Sequence, residues 1–239
     1  MKMLHSHEYA GQKMSLHVKK AESDIDRCEL YQKKELALIG ISLGNSYFNE
    51  KRLKLIISGF AKNFKKVAIL LADDLAMHNY LAVGYSESKA RKKIKKNSNF
   101  ATNRINKIIE DLGDGYDVKF YKWKDIESFS KFKDSLKLIE TIYESDNEFS
   151  KEINNLTLKV IRSYTSNELN EIEVINEAKW YLLKELAFAD CASDFFNSSL
   201  LTCYYTDISI YRKILNNEFK GLDKQINHDY LIYECREVS

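Results

Sequence analysis

Proline is absent from the 239 residues, and glycine occurs only eight times. Without proline there is no cis-proline turn, and turns must rely on Gly, Asn, Asp and Ser. The four cysteines, Cys28, Cys191, Cys203 and Cys235, form no CxxC pair and no repeating spacing. That argues against a zinc site and for buried, reduced thiols. No apolar run approaches the ~20 residues of a membrane helix, and the mean hydropathy is -0.43. The first twenty residues, MKMLHSHEYAGQKMSLHVKK, lack the apolar h-region of a secretory signal. The expected address is therefore the cytosol, with no membrane partner.

What is present suffices for a packed core. Hydrophobic residues make up 44% and charged residues 30%, which excludes a disordered chain. The net charge is +2 and says little, but its distribution says more. From Lys89 to Lys107 there are eight basic residues and no acid. The remainder is net acidic. Such a local asymmetry points to a polyanion partner.

Periodicity divides the chain into alternating strands and helices. Short apolar runs at 35–41 (ELALIGI) and 67–72 (VAILLA), the alternating segment 117–123, and 199–205 read as strands. Helical patterns cover 49–63, then 76–112 with breaks near Gly84 and 97–99, then 125–145, 146–164, 168–189 and 208–219. This order predicts an α/β fold: a single Rossmann-like domain with a central, mostly parallel sheet flanked by helices. Residues 1–22 read as a flexible leader and 23–239 as one catalytic domain.

Three constellations could carry chemistry. Gly40-Ile41-Ser42-Leu43-Gly44-Asn45-Ser46 places a serine just beyond a strand's carboxyl end, the usual ligand edge of an α/β sheet. Its GxSxG pattern also matches the nucleophile elbow of α/β-hydrolases. That elbow normally follows several strands, and here it follows the first one read. Only His78 and His228 lie downstream as candidate bases, and His228 sits in a polar tail. A structural turn serine is the commoner reading of the pattern alone.

The second constellation is the basic helix, with Lys89, Arg91, Lys92, Lys93, Lys95 and Lys96 in its first turns. A solvated face normally mixes both signs; this one would contact several phosphates at once, with salt-sensitive binding. Only Phe100 is interleaved, which argues against single-strand base stacking and for backbone or shape recognition. The third is Tyr181 and Glu185, four apart and so on one helix face. A carboxylate beside a phenol can hold a substrate ammonium, although such a pair is more often an ordinary surface pair.

Together these stretches resemble the cyclodipeptide synthases. Residues 71–87, LADDLAMHNYLAVGYSE, leading into Lys89-Ala-Arg-Lys-Lys, resemble the family's second-strand loop and basic helix. Gly40 through Phe48 resembles its nucleophile loop, and Tyr181-Leu-Leu-Lys-Glu185 its Tyr-x-x-x-Glu motif. The resemblance spans about residues 35–215. It implies a fold similar to the catalytic domain of class I aminoacyl-tRNA synthetases, two aminoacyl-tRNAs as substrates, and a cyclic dipeptide as product. It also implies a monomer that needs no ATP, since the aminoacyl ester is already activated; neither cofactor nor metal is expected.

By the family pattern, Ser42 carries an aminoacyl and then a dipeptidyl ester, and Tyr181 and Glu185 hold the α-amino group. Gly40 and Asn45 shape the substrate loop, and Lys89 to Lys96 carry tRNA phosphates. A further catalytic tyrosine is Tyr204 or Tyr205. Counting from Glu185 favours Tyr205 as catalytic, with Tyr204 binding substrate. Alternation along the strand would let only one of them reach the pocket. Thr206 follows Tyr205 where the family commonly has His or Pro. Two rival readings are a noncatalytic tRNA-binding module with a synthetase-like fold and a GxSxG serine hydrolase.

Overall fold

The computed structural model describes residues 2–9, 12–21, 35–165, 168–222 and 229–238. Cys28, His228 and the boundary drawn at residues 22 and 23 lie outside them. Seven strands form one sheet: β1 (Lys2–Tyr9), β2 (Gln12–Ala21), β3 (Leu36–Ser42), β4 (Lys66–Ala72), β5 (Asp117–Lys122), β6 (Leu200–Tyr204) and β7 (Asp229–Val238). Their spatial order is β1-β2-β7-β6-β3-β4-β5. The pairs β7/β6, β6/β3, β3/β4 and β4/β5 are parallel, and β1/β2 and β2/β7 are antiparallel. The α/β fold with a mostly parallel sheet is as the strand–helix alternation implies.

The helices are α1 (Glu50–Ala61), α2 (Ala76–Ala82), α3 (Glu87–Leu112), α4 (Trp123–Glu127), α5 (Ser130–Ser145), α6 (Asn147–Arg162), α7 (Glu171–Phe196) and α8 (Ser209–Leu215). Strand parity assigns each face of the sheet to a helical layer. On β3, Ala37, Ile39 and Ile41 pack with α1 and α3, whereas Leu36 and Leu38 pack with α5 and α7. Gly40 and Ser42 follow the second parity, so they open toward α7. Because β4 and β5 lie on one side of β3 and β6 on the other, the sheet's topological switch point falls between β3 and β6. A crevice forms there at the carboxyl ends of the strands, and Ser42 and Tyr204 end the two strands that flank it.

The leader expectation is corrected. Residues 2–9 and 12–21 are paired strands of the sheet. Met14, Leu16 and Val18 alternate with Ser15, His17 and Lys19, and the apolar set is buried against α1. A Cβ on Gly59 of α1 would lie 2.6 Å from Leu16 Cδ2, so the helix rests on β2 only because that residue has no side chain. The polar tail is likewise a strand, β7, with Tyr230, Leu231, Ile232 and Tyr233 buried.

Two helix boundaries also differ. Gly84, with φ +84°, separates α2 from α3, but no break occurs at 97–99. Ser98 sits on the buried stripe of α3 and donates to Asp73 Oδ2 at 2.6 Å, while the Trp123 backbone N–H donates to Asp73 Oδ1 at 3.2 Å. Asp73 thus ties α3 and α4 to the end of β4. The segment 125–145 is divided at Ser128 and Phe129, and α7 runs seven residues beyond the expected 189, to an Asn197 cap in left-handed backbone. Among the described residues no helix is long and apolar enough to cross a membrane.

Candidate active site

Ser42 is the last residue of β3. After it the chain turns tightly: the Asn45 N–H donates to the Ser42 carbonyl at 3.3 Å, and Gly44 takes φ +79°, which suits glycine. Asn45 then caps a short 3-10 turn, Ser46–Phe48, its Oδ1 accepting from the Tyr47 N–H at 2.9 Å. Arg104 of α3 braces the same turn by donating to the Phe48 carbonyl at 3.4 Å. The loop that follows Ser42 is therefore held from both ends.

Three side chains from distant segments converge on Ser42. The Tyr204 hydroxyl lies 2.9 Å from Ser42 Oγ. The Tyr181 hydroxyl, from α7, lies 3.4 Å away, and Glu185 one turn later hydrogen-bonds Tyr181. Glu185 keeps a little accessible surface because it lines the crevice, yet protein surrounds it. Burial pushes its carboxyl up to about 7, against which the Tyr181 hydrogen bond acts. Burial also raises the Tyr181 and Tyr204 phenols, so both stay protonated donors, and the nearby Glu185 charge adds to this.

The tyrosine contact differs from the expectation. Tyr204, not Tyr205, touches Ser42. Tyr205 accepts from Asn45 Nδ2 at 2.8 Å, and its ring stacks on Tyr47 with centroids 3.9 Å apart. Strand alternation does not govern the pair because β6 ends at Tyr204. Tyr205 lies past the strand, and both tyrosines line the crevice.

The crevice has two chambers that share Ser42, Glu185 and Tyr204. An inner one is walled by apolar groups such as Leu38, Leu70, Trp123 and Phe188, with Gly40 leaving room on β3. A wider outer one, open to solvent, is more polar and includes Asn45, Asn79, Tyr181 and Tyr205. Ser42 thus faces two spaces of different character from one position.

The basic residues lie on α3, one continuous helix of 26 residues, about 39 Å long at 1.5 Å per residue. Ala90, Ile94, Ser98, Ile105 and Ile108 form its buried stripe. Lys89, Arg91, Lys92, Lys93, Lys95 and Lys96 are all exposed. Arg91 is paired with Glu87 at 2.5 Å. Lys93 instead leans on Tyr85, donating to its hydroxyl at 3.1 Å.

The geometry does not suit a hydrolase triad. His78 Nδ1 sits 2.9 Å from Glu177 Oε1 and burial lowers its pKa; its bonded partner is Glu177 rather than the serine. The left-handed turn falls at Gly44 and not at Ser42, unlike the strained serine of a nucleophile elbow. Among the described residues no cluster of three His, Cys, Asp or Glu side chains could hold a metal ion. Cys191 and Cys203 are buried and Cys235 is half-buried, and burial pushes the Cys191 and Cys235 thiols up to about 11.

Comparison with known proteins agrees with this architecture. The family model described as cyclodipeptide synthase matches residues 22–233. A cyclo(L-leucyl-L-leucyl) synthase from Staphylococcus haemolyticus is 28% identical over 200 residues, covering 80% of this chain and 84% of that protein. Two solved structures share the fold. One is a Mycobacterium tuberculosis protein whose structure relates cyclodipeptide synthetases to type I tRNA synthetases (TM-score 0.71, 19% identity, 95% of each chain). The other is a cyclodipeptide synthase from Candidatus Glomeribacter gigasporarum bound to Phe-tRNAPhe (TM-score 0.61, 19% identity, 85% of this chain and 89% of that one).

Proposed function

The chain belongs to the cyclodipeptide synthase family, and from that premise we propose that it joins the aminoacyl groups of two aminoacyl-tRNAs into a cyclic dipeptide through esters on Ser42. The observation that carries this reading is the meeting of Ser42, Tyr204, Tyr181 and Glu185 where two chambers join. A noncatalytic RNA-binding module has no need of that convergence.

In the first step Ser42 Oγ attacks the ester carbonyl of the first aminoacyl-tRNA. The bond to the ribose oxygen breaks, that oxygen takes up a proton, and the tRNA leaves. Tyr204, 2.9 Å from Oγ, is the group placed to relay the serine proton. Dividing the synthesis into acyl-enzyme steps lets one nucleophile handle each substrate in turn. Glu185 and Tyr181 hold the α-ammonium of the bound aminoacyl group by charge-assisted hydrogen bonds.

That amine must lose a proton before it can attack. A carboxyl near 7 is matched to an α-amino group of pKa about 7.7–8.0, so Glu185 suits the transfer. The freed amine attacks the ester carbonyl of the second aminoacyl-tRNA and releases the second tRNA. The new terminal amine then attacks the Ser42 ester, closes the six-membered ring, and returns the proton to Oγ. Holding both ends in one crevice supplies a high effective concentration for closure.

The apolar inner chamber suits an apolar amino-acid side chain, and the wider outer chamber suits the incoming second substrate. The exposed basic side chains of α3 would hold tRNA phosphates, a partner also present in the structure of the Candidatus Glomeribacter relative. The test is mass spectrometry of medium from cells expressing the parent and Ser42→Ala. Cyclic dipeptides formed only by the parent support the reading. Equal product from both proteins would overturn the covalent route.

A further inference from the structure

Phosphate contacts on α3 do not explain how the end of a tRNA reaches Ser42. The helix itself carries only one exposed aromatic side chain, Phe100, but other segments bring three tyrosines to its first turns. Lys89 Nζ lies 4.5 Å from the Tyr85 ring centroid. Lys93 Nζ lies 4.9 Å from the centroids of both Tyr80 and Tyr85. Tyr164, arriving from the end of α6, sets its ring edge-to-face on Tyr80 with centroids 6.3 Å apart.

This cluster leads from the basic helix to the crevice. A Cβ on Gly44 would lie 3.5 Å from the Tyr80 hydroxyl, so Tyr80 abuts the loop that follows Ser42. Tyr164 lines the outer chamber itself, alongside Lys159. It remains 42% exposed, with its hydroxyl accepting from Asn79 Nδ2 at 3.5 Å. An ammonium has three donors. Lys93 uses one on Tyr85, which leaves two for an anion.

Resting on the reading that aminoacyl-tRNA is the substrate, we propose that Tyr164 is a stacking platform for a base of the unpaired 3′ end, with Lys89 and Lys93 holding the adjoining phosphates. A cationic track with aromatic faces is the general solution for a single strand, and stacking tolerates any base. Of the other exposed lysines of α3, Lys92, Lys95 and Lys96 stay available for the duplex stem. Within its own sequence α3 offers only Phe100 for stacking; the fold supplies further aromatic rings from outside the helix.

The test measures binding of two short RNA hairpins to the full chain, one with a single-stranded CCA 3′ overhang and one blunt, by fluorescence anisotropy at fixed salt. The parent should bind the overhang hairpin about tenfold more tightly, the scale of one stacked base. Tyr164→Ala should lose about that factor for the overhang hairpin and bind the blunt one as the parent does. Tyr164→Phe should restore the preference, since it keeps the ring. Lys92→Glu should weaken both hairpins equally. No overhang preference in the parent, or an unchanged preference in Tyr164→Ala, overturns the proposal. Cyclic dipeptide formation by the same preparations is scored separately. Product without an overhang preference sinks only the platform. Absence of product from the parent sinks the functional reading.

Discussion

Ser42 Oγ and the Tyr204 hydroxyl are 2.9 Å apart although 162 residues separate them in the chain. They meet because β3 and β6 are paired in parallel and end at the same edge of the sheet. Pairing fixes the strand ends, and parity turns both side chains toward α7. Ser42 and Tyr204 are therefore positioned by the core, the rigid placement that the proposed reaction requires.

Tyr204 and Tyr205 should separate cleanly on removal of their hydroxyls. Tyr204→Phe removes the group in contact with Ser42 and should lower kcat/KM by about 10²-fold or more, the usual range for a proton-transfer group. Tyr205→Phe removes only the oxygen that receives Asn45 and keeps the stack on Tyr47. Its loss should be about tenfold or less. Initial rates of cyclic dipeptide formation decide between them, and the reverse ranking would restore Tyr205 to the catalytic position.

Glu185 should govern the pH dependence. Its carboxyl is pushed up to about 7 by burial, and the proposed mechanism needs the ionised form to accept the amine proton, so kcat/KM should rise as pH passes through about 7. Stability should move the other way. The folded state holds this proton more tightly than the unfolded chain, whose carboxyl titrates near 4.5. The contribution is full below that value and is lost as pH rises through about 7. The difference is at most about 3 kcal/mol, less whatever water in the crevice screens. Glu185→Gln should be nearly inactive, yet more stable than the parent above pH 7. Urea midpoints at pH 5 and pH 8 check this, and a parent-like pH dependence in the variant would contradict it.

The basic helix should act through charge. Reversing Lys92, Lys95 and Lys96, all exposed, should raise KM for aminoacyl-tRNA and flatten its dependence on log salt by about 0.9 per lost phosphate contact. Thermal unfolding should be unchanged, because the buried stripe of α3 is untouched. An unaltered salt slope would reduce this helix to a solvated face.

The amino-terminal hairpin offers a purely structural check. Gly59→Val would drive a Cβ to 2.6 Å from Leu16 Cδ2 and 3.1 Å from His5 Cβ. Overpacking of this kind costs about 2 kcal/mol, a fall in Tm of about 4–8 °C for a chain of this size. An unchanged Tm would mean that β2 does not rest on α1.

The parallel core was legible because buried strands read as continuous apolar runs, as in 35–41 and 67–72. The two strands of the hairpin and β7 were not: the hairpin alternates within a polar amino-terminal stretch, and β7 offers only the four-residue apolar run 230–233 within a polar tail. Met14, Leu16 and Val18 carry a period of two that a search for apolar runs passes over. Spacing and chemistry singled out Ser42, Tyr181 and Glu185 as candidates, and the resemblance to a family supplied their expected roles. Tyr204 was missed as the Ser42 contact because counting along the chain cannot tell where a strand ends. The absence of a bend at 97–99 follows from Ser98 reaching Asp73, a contact across 25 residues that local propensity does not encode.

The most direct measurement of the central claim is intact-protein mass spectrometry after brief mixing of the purified chain with one kind of aminoacyl-tRNA. The parent should gain the mass of the aminoacyl group, and fragmentation should place it on Ser42. Ser42→Ala should gain nothing and form no cyclic dipeptide. Product formed by the parent with no adduct at Ser42, or by Ser42→Ala at the parental rate, would contradict the account.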